Sequence, residues 1–71
     1  MPEKIEDSYA FMFTSYPDVV NVEQLKEMLG IGITLAYRLV REHKIRAFKV
    51  GREYKIPKAN VIRYLIEQNE I

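Results

Sequence analysis

Apolar positions along the chain change their spacing several times, and each change marks an element. Val22, Leu25, Met28 and Leu29 recur at the spacing of a buried helical stripe. Asn21 stands at the N-cap with Gln24 three residues on, a capping-box pattern, and Val20 and Leu25 occupy the positions of a hydrophobic staple. Gly30 supplies a left-handed C′ residue, so this first helix is predicted to be short, roughly two turns. A second helix is predicted from about Ile33 to His43, with Ala36, Leu39 and Val40 on one face and Thr34, Tyr37, Arg38 and Arg41 on the other. His43 and Lys44 fall in its last turn, where cations suit the helix dipole. Gly30-Ile31-Gly32 between the two makes the tight turn of a helix-turn-helix, and Ile31 is expected to fill the angle.

Beyond Ile45 the period drops to two. Phe48 and Val50 alternate before Gly51, and Tyr54 and Ile56 after it, which predicts a hairpin over Arg46 to Ile56. A two-residue turn at Gly51-Arg52 places Val50 opposite Glu53 and Phe48 opposite Lys55, mixing the faces. A three-residue loop, Gly51-Arg52-Glu53, pairs Val50 with Tyr54 and Phe48 with Ile56, and is preferred because a one-residue slip turns every side chain over. It sets Lys49 opposite Lys55 on the outer face, a like-charge pairing that costs stability and points to an anionic partner. Pro57 marks the start of a third helix reaching about Asn69, with Val61, Ile62, Leu65 and Tyr64 toward the core. Ile66 and Ile71 are left as apolar surface for self-association. Residues 1–17 read differently: Tyr9, Phe11 and Phe13 alternate and Tyr16 follows, a short strand or aromatic arm, favoured as extra cover for a small core.

The composition excludes more than it selects. Seventy-one residues form one small domain with a marginal core. The chain has no cysteine and a single histidine, so neither a disulfide framework nor a thiolate or histidine metal site is expected, and no cofactor. Its scattered acids and lack of a phosphate-cradling glycine loop make an enzyme unexpected. No apolar run approaches the ~20 residues of a membrane span, and the acidic N-terminus is unlike a signal peptide, so a cytoplasmic location is expected. Net charge is +1, but its distribution is uneven: residues 1–37 carry −4, residues 38–58 carry +6 and residues 59–71 carry −1. A basic block in an otherwise acidic domain is the electrostatic footprint of a nucleic-acid binder; a solvated charged face is the plainer alternative. The expectation is that the cations of 38–58 converge on one continuous surface.

The order helix, tight turn, helix, two-stranded wing, helix carries a resemblance. Val22-Glu23-Gln24-Leu25, Leu29-Gly30-Ile31, Tyr37-Arg38-Leu39-Val40-Arg41-Glu42, and above all Phe48-Lys49-Val50-Gly51-Arg52 through Tyr54-Lys55-Ile56-Pro57-Lys58 resemble the excisionase-type, MerR-like winged helix-turn-helix DNA-binding domains. The likeness covers about Asp18 to Leu65. It implies a mainly α fold with a small β-hairpin, and a DNA-binding domain over 18–71. The partner it implies is double-stranded DNA in a prokaryotic nucleoid, with a recombinase or integrase alongside. One departure stands out: family members open the second helix with serine and a polar or basic residue, where this chain has Gly32-Ile33-Thr34. Glycine caps only slightly less well than serine, so the fold is expected to survive, but the usual first-turn contacts are not carried over.

In that geometry the N-terminal half of the second helix enters the major groove, which sets Ile33, Thr34, Tyr37 and Arg38 nearest the bases. Ile33 suits thymine methyls, and Thr34 and Tyr37 bring hydroxyls. Arg38 is the candidate for bidentate guanine readout, against the plainer reading of a salt bridge to Glu42 four residues on. Arg41, Lys49, Lys55 and Lys58 suit backbone phosphates, and Arg52 at the wing tip suits the adjacent minor groove. About five neutralised phosphates would give log K against log salt a slope near −4.5. Two roles fit: an accessory factor that bends DNA at recombination sites, and a minimal transcriptional regulator. The regulators of this type carry a long dimerising helix after the wing, which is not found here, so small-molecule sensing is not expected. A winged helix that docks proteins without binding DNA is the competing class.

Overall fold

A computed structural model describes residues 13–68. The elements run β1 (Val19–Val20), α1 (Val22–Leu29), α2 (Ile33–Arg41), β2 (Phe48–Val50), β3 (Glu53–Pro57) and α3 (Lys58–Gln68). This is a mainly helical fold with a small three-stranded antiparallel sheet in the order β1-β3-β2.

The signals around α1 act as their chemistry requires. The Gln24 N–H donates to Asn21 Oδ1 at 2.8 Å, and the Asn21 N–H donates to Gln24 Oε1 at 3.0 Å, so two of the helix's orphan donors are satisfied reciprocally. Val20 and Leu25, the staple pair, are both fully buried. At the other end Gly30 takes φ 67°, its N–H reaches Glu27 O, and the Ile31 N–H reaches Lys26 O at 3.1 Å. That is the Schellman arrangement, and its left-handed residue is why glycine stands there.

The second helix ends two residues before the expected point. His43 adopts φ 62°, outside the helix, and the cap bonds run from His43 N–H to Val40 O at 3.2 Å and from Lys44 N–H to Leu39 O at 2.8 Å. The same 5→2 and 6→1 pattern that closes α1 on a glycine therefore closes α2 on a histidine. His43 and Lys44 consequently leave the last turn and enter the loop. Ile45, the next residue, is fully buried and anchors that loop.

The hairpin register is the two-residue alternative. Phe48 lies opposite Lys55, Lys49 opposite Tyr54 and Val50 opposite Glu53, which overturns both the Val50–Tyr54 pairing and the opposed lysines. Gly51 has φ 64° and Arg52 a negative φ, the pattern of a type II′ turn with glycine first. The physical reason is that β2 buries nothing: all three of its residues are exposed. Burial pins register only where one face is covered, so the turn geometry decides instead. Lys49 thereby moves to the inner face with Tyr54, while Phe48 and Val50 turn outward, 52% and 57% exposed.

The remaining strand is β1, Val19–Val20, which lies next to β3 in the sheet. It pairs Val19 with Pro57 and Val20 with Ile56. Phe13 and Tyr16 make a tight turn closed by the Tyr16 N–H on Phe13 O at 3.1 Å, their rings edge to face at 6.2 Å. Phe13 is buried, and Tyr16 packs against the core. Ring burial and then the Glu27 carboxylate, 3.4 Å from the phenol oxygen, raise the Tyr16 hydroxyl above its ordinary pKa. Tyr9, Phe11, Asn69 and Ile71 lie outside the described residues.

Pro57 closes β3, and α3 starts one residue later than expected, at Lys58. Val61 and Ile62 are buried, whereas Leu65 and Ile66 are both only half-buried. The core joins Val20, Val22, Leu25, Ala36, Val40, Ile45, Ile56 and Val61, one contribution at least from every element but β2. Among the described residues no polar or charged side chain is buried.

Candidate nucleic-acid interface

With Ala36 and Val40 turned to the core, the helical period leaves Thr34, Arg38 and Arg41 on the solvent face of α2, flanked by Ile33 and Tyr37. All five are exposed, as the sequence pattern requires. Leu35, 41% exposed beside this face, is an apolar position that periodicity alone did not single out. Gly32 caps α2 without a side-chain hydrogen bond, so its first-turn N–H groups keep no competing hydroxyl. The Ala36 N–H bonds Gly32 O at 3.0 Å, which starts the helix in register. Among the described residues Arg38 makes no ion pair with Glu42, although the spacing would allow one.

The wing meets this face through two rings. Tyr37 of α2 and Tyr54 of β3 stand edge to face with centroids 6.2 Å apart. Lys49 Nζ lies over the Tyr54 ring, 5.1 Å from its centroid, within the range of a cation–π contact. Arg52, at the tip, lines a cleft of about 190 Å³ together with Asn21, Glu23, Tyr37 and Tyr54, between the start of α1, the face of α2 and the turn. Four cations, Arg38, Arg41, Lys49 and Arg52, are thus distributed over α2 and the part of the wing that touches it.

The other cations of the basic block are placed elsewhere, so the block does not converge as a whole. Lys55 pairs with Glu53 at 3.2 Å on the outer face of the wing, a partly exposed contact of the kind that contributes little. Lys58 is half-buried, and its ammonium donates to Phe13 O at 3.2 Å and Tyr16 O at 3.1 Å. It fastens the aromatic turn to the head of α3, which leaves it poorly placed for a phosphate. Lys44 and Arg46 line a separate groove of about 510 Å³ with His43, Asn60 and Arg63, on the α3 side. The Asn60 amide donates to Arg46 O at 3.1 Å and ties that loop to α3. A linear charge count cannot see this division, because it depends on where the chain turns after Arg41.

Tyr54 is the residue of this surface that sequence reasoning undervalued. The three-residue loop sets it opposite Val50; the two-residue turn puts it opposite Lys49 and against Tyr37. The signal was present in Gly51, whose position suits the first central place of a type II′ turn.

Two helices about a tight turn, a β wing and a closing helix define the winged helix-turn-helix class of DNA-binding domain. Comparison agrees with the geometry: residues 19–69 match the family model described as a helix-turn-helix domain. The chain belongs to this excisionase-like helix-turn-helix family, and it is a DNA-binding helix-turn-helix protein. No curated protein and no solved structure matches it. Among the described residues no helix is long and apolar enough to cross a membrane.

Proposed function

We propose that this protein binds duplex DNA sequence-specifically, with α2 in the major groove and the wing tip in the adjacent minor groove. The observation that carries this reading is the Tyr37–Tyr54 contact, which joins the exposed face of α2 to the wing so that their cations serve one interface. Thr34, Tyr37 and Arg38 stand nearest the bases, Arg38 gripping guanine and Ile33 meeting thymine methyls. Arg41 and Lys49 hold phosphates. Arg52 enters the minor groove, where a narrow A·T-rich stretch concentrates negative potential. Lys55 joins at the rim by exchanging Glu53 for a phosphate.

Membership of an excisionase-like family supports a role as an accessory factor of a mobile element, bending DNA and helping to seat a recombinase in a prokaryotic cytoplasm. Gel retardation on circularly permuted fragments tests it. Position-dependent mobility with side-by-side occupancy of repeated sites supports the accessory role. Unbent complexes at single promoter sites would make the protein a small transcriptional regulator instead.

The outer wing face favours a second reading. Phe48, Val50 and Val19 share it, all substantially exposed, and such a surface suits a protein partner. A domain that only docks proteins would not retard random duplex at low salt.

A further inference from the structure

We propose that Tyr54 is a positioning residue of the DNA interface: its ring holds the Lys49 ammonium at the seam between α2 and the wing, where the DNA backbone crosses. The inference rests on the DNA-binding reading and names how one of its phosphate contacts is built.

Adjacent major and minor grooves are divided by a sugar–phosphate strand. A helix in one groove and a wing tip in the next therefore present the junction between them to phosphates, not to bases. In this molecule that junction is made of three side chains in sequence: Tyr37 on α2, Tyr54 on β3 and Lys49 on β2. Tyr54 is half-buried and packs against the core, and its ring is braced edge-on by Tyr37 at 6.2 Å. A lysine on an exposed strand has a long flexible stem and otherwise spreads its charge over a wide volume. Lying 5.1 Å above a fixed ring, the Lys49 ammonium is biased toward the α2 side before DNA arrives. The register contributes as much as the ring: one residue of slip would carry Lys49 to the far face. Lys55, which does lie on the far face, is held only loosely by Glu53.

The test is the salt dependence of binding for a duplex that the parent retards, with thermal melts of each variant alongside. Lys49→Met should lower the magnitude of the slope of log K against log salt by about 0.9, the loss of one phosphate contact. Tyr54→Leu keeps apolar volume but removes the ring; Lys49 keeps its charge, so the slope should hold while affinity falls about two- to fivefold, the worth of an exposed cation–π contact. Combining the two should give no further loss, and Tyr54→Phe, which retains the ring, should behave as the parent. The proposal is overturned if Tyr54→Leu melts earlier yet keeps the parental affinity, or if it costs as much affinity beside Lys49→Met as it does alone. A parental slope near zero would overturn the DNA reading itself, and it is seen before any variant is made.

Discussion

His43 shows how much one backbone angle decides. A left-handed conformation costs a residue with a Cβ roughly 1–2 kcal/mol, and His43 bears it because the cap bonds to Leu39 and Val40 and the burial of Ile45 hold the loop in place. His43→Gly should therefore stabilise the fold by roughly 1 kcal/mol, a rise of about 4–8 °C in Tm for a domain of this size, read by thermal melting. The side chains on α2 and the wing tip divide by the kind of contact each makes. Arg38→Ala should relax discrimination at one base pair by about 1–3 kcal/mol, measured by competition between matched and mismatched duplexes. Arg52→Ala should weaken binding nearly alike whichever base pair faces Arg38, since it removes one cation from the adjacent minor groove and no base-edge contact. If both variants bind as the parent does, the interface lies elsewhere on the molecule.

At the scale of elements, α1 and the wing differ in what defines them. The first helix is specified locally at both ends, by Asn21 with Gln24 and by Gly30, and it could be read from the sequence to the residue. Asn21→Ala removes an acceptor from the Gln24 N–H and should cost about 1 kcal/mol, visible as a lower denaturation midpoint with an unchanged m-value. The wing has no such local determinant along β2, where apolar alternation suggested a buried face that the structure does not provide. Its register follows from the turn, and the consequence is functional: Lys49 goes to the α2 side and Phe48 with Val50 to the outside. The end of α2 falls before the point that periodicity predicts for a related reason, since His43 does not mark a left-handed residue as plainly as glycine does.

For the molecule as a whole, the distribution of charge matters more than its sum. Eight cations lie between Arg38 and Lys58, yet Lys58 fastens the Phe13–Tyr16 turn and Lys44 and Arg46 face a separate groove. The structure thus lowers the expected number of phosphates from about five to about four, and the slope of log K against log salt from near −4.5 to near −3.6. A titration between low and moderate salt checks this number. Lys58→Met should act on stability and leave the slope almost unchanged, because its ammonium serves the fold.

Helix order, the tight turn, the capping of α1 and the exposed set on α2 were legible because each rests on contacts a few residues apart or on a period that the backbone enforces. The candidate DNA face of α2 was legible for the same reason, being the complement of its apolar stripe. Three matters were settled only by packing across long separations: which way the wing's side chains point, which lysines are tied to backbone carbonyls or carboxylates, and that Val19–Val20 supplies a third strand beside β3. Local rules set what each segment can be. Where a cation finally stands depends on what the rest of the chain brings beside it, as Phe13 and Tyr16 reach Lys58 across more than forty residues.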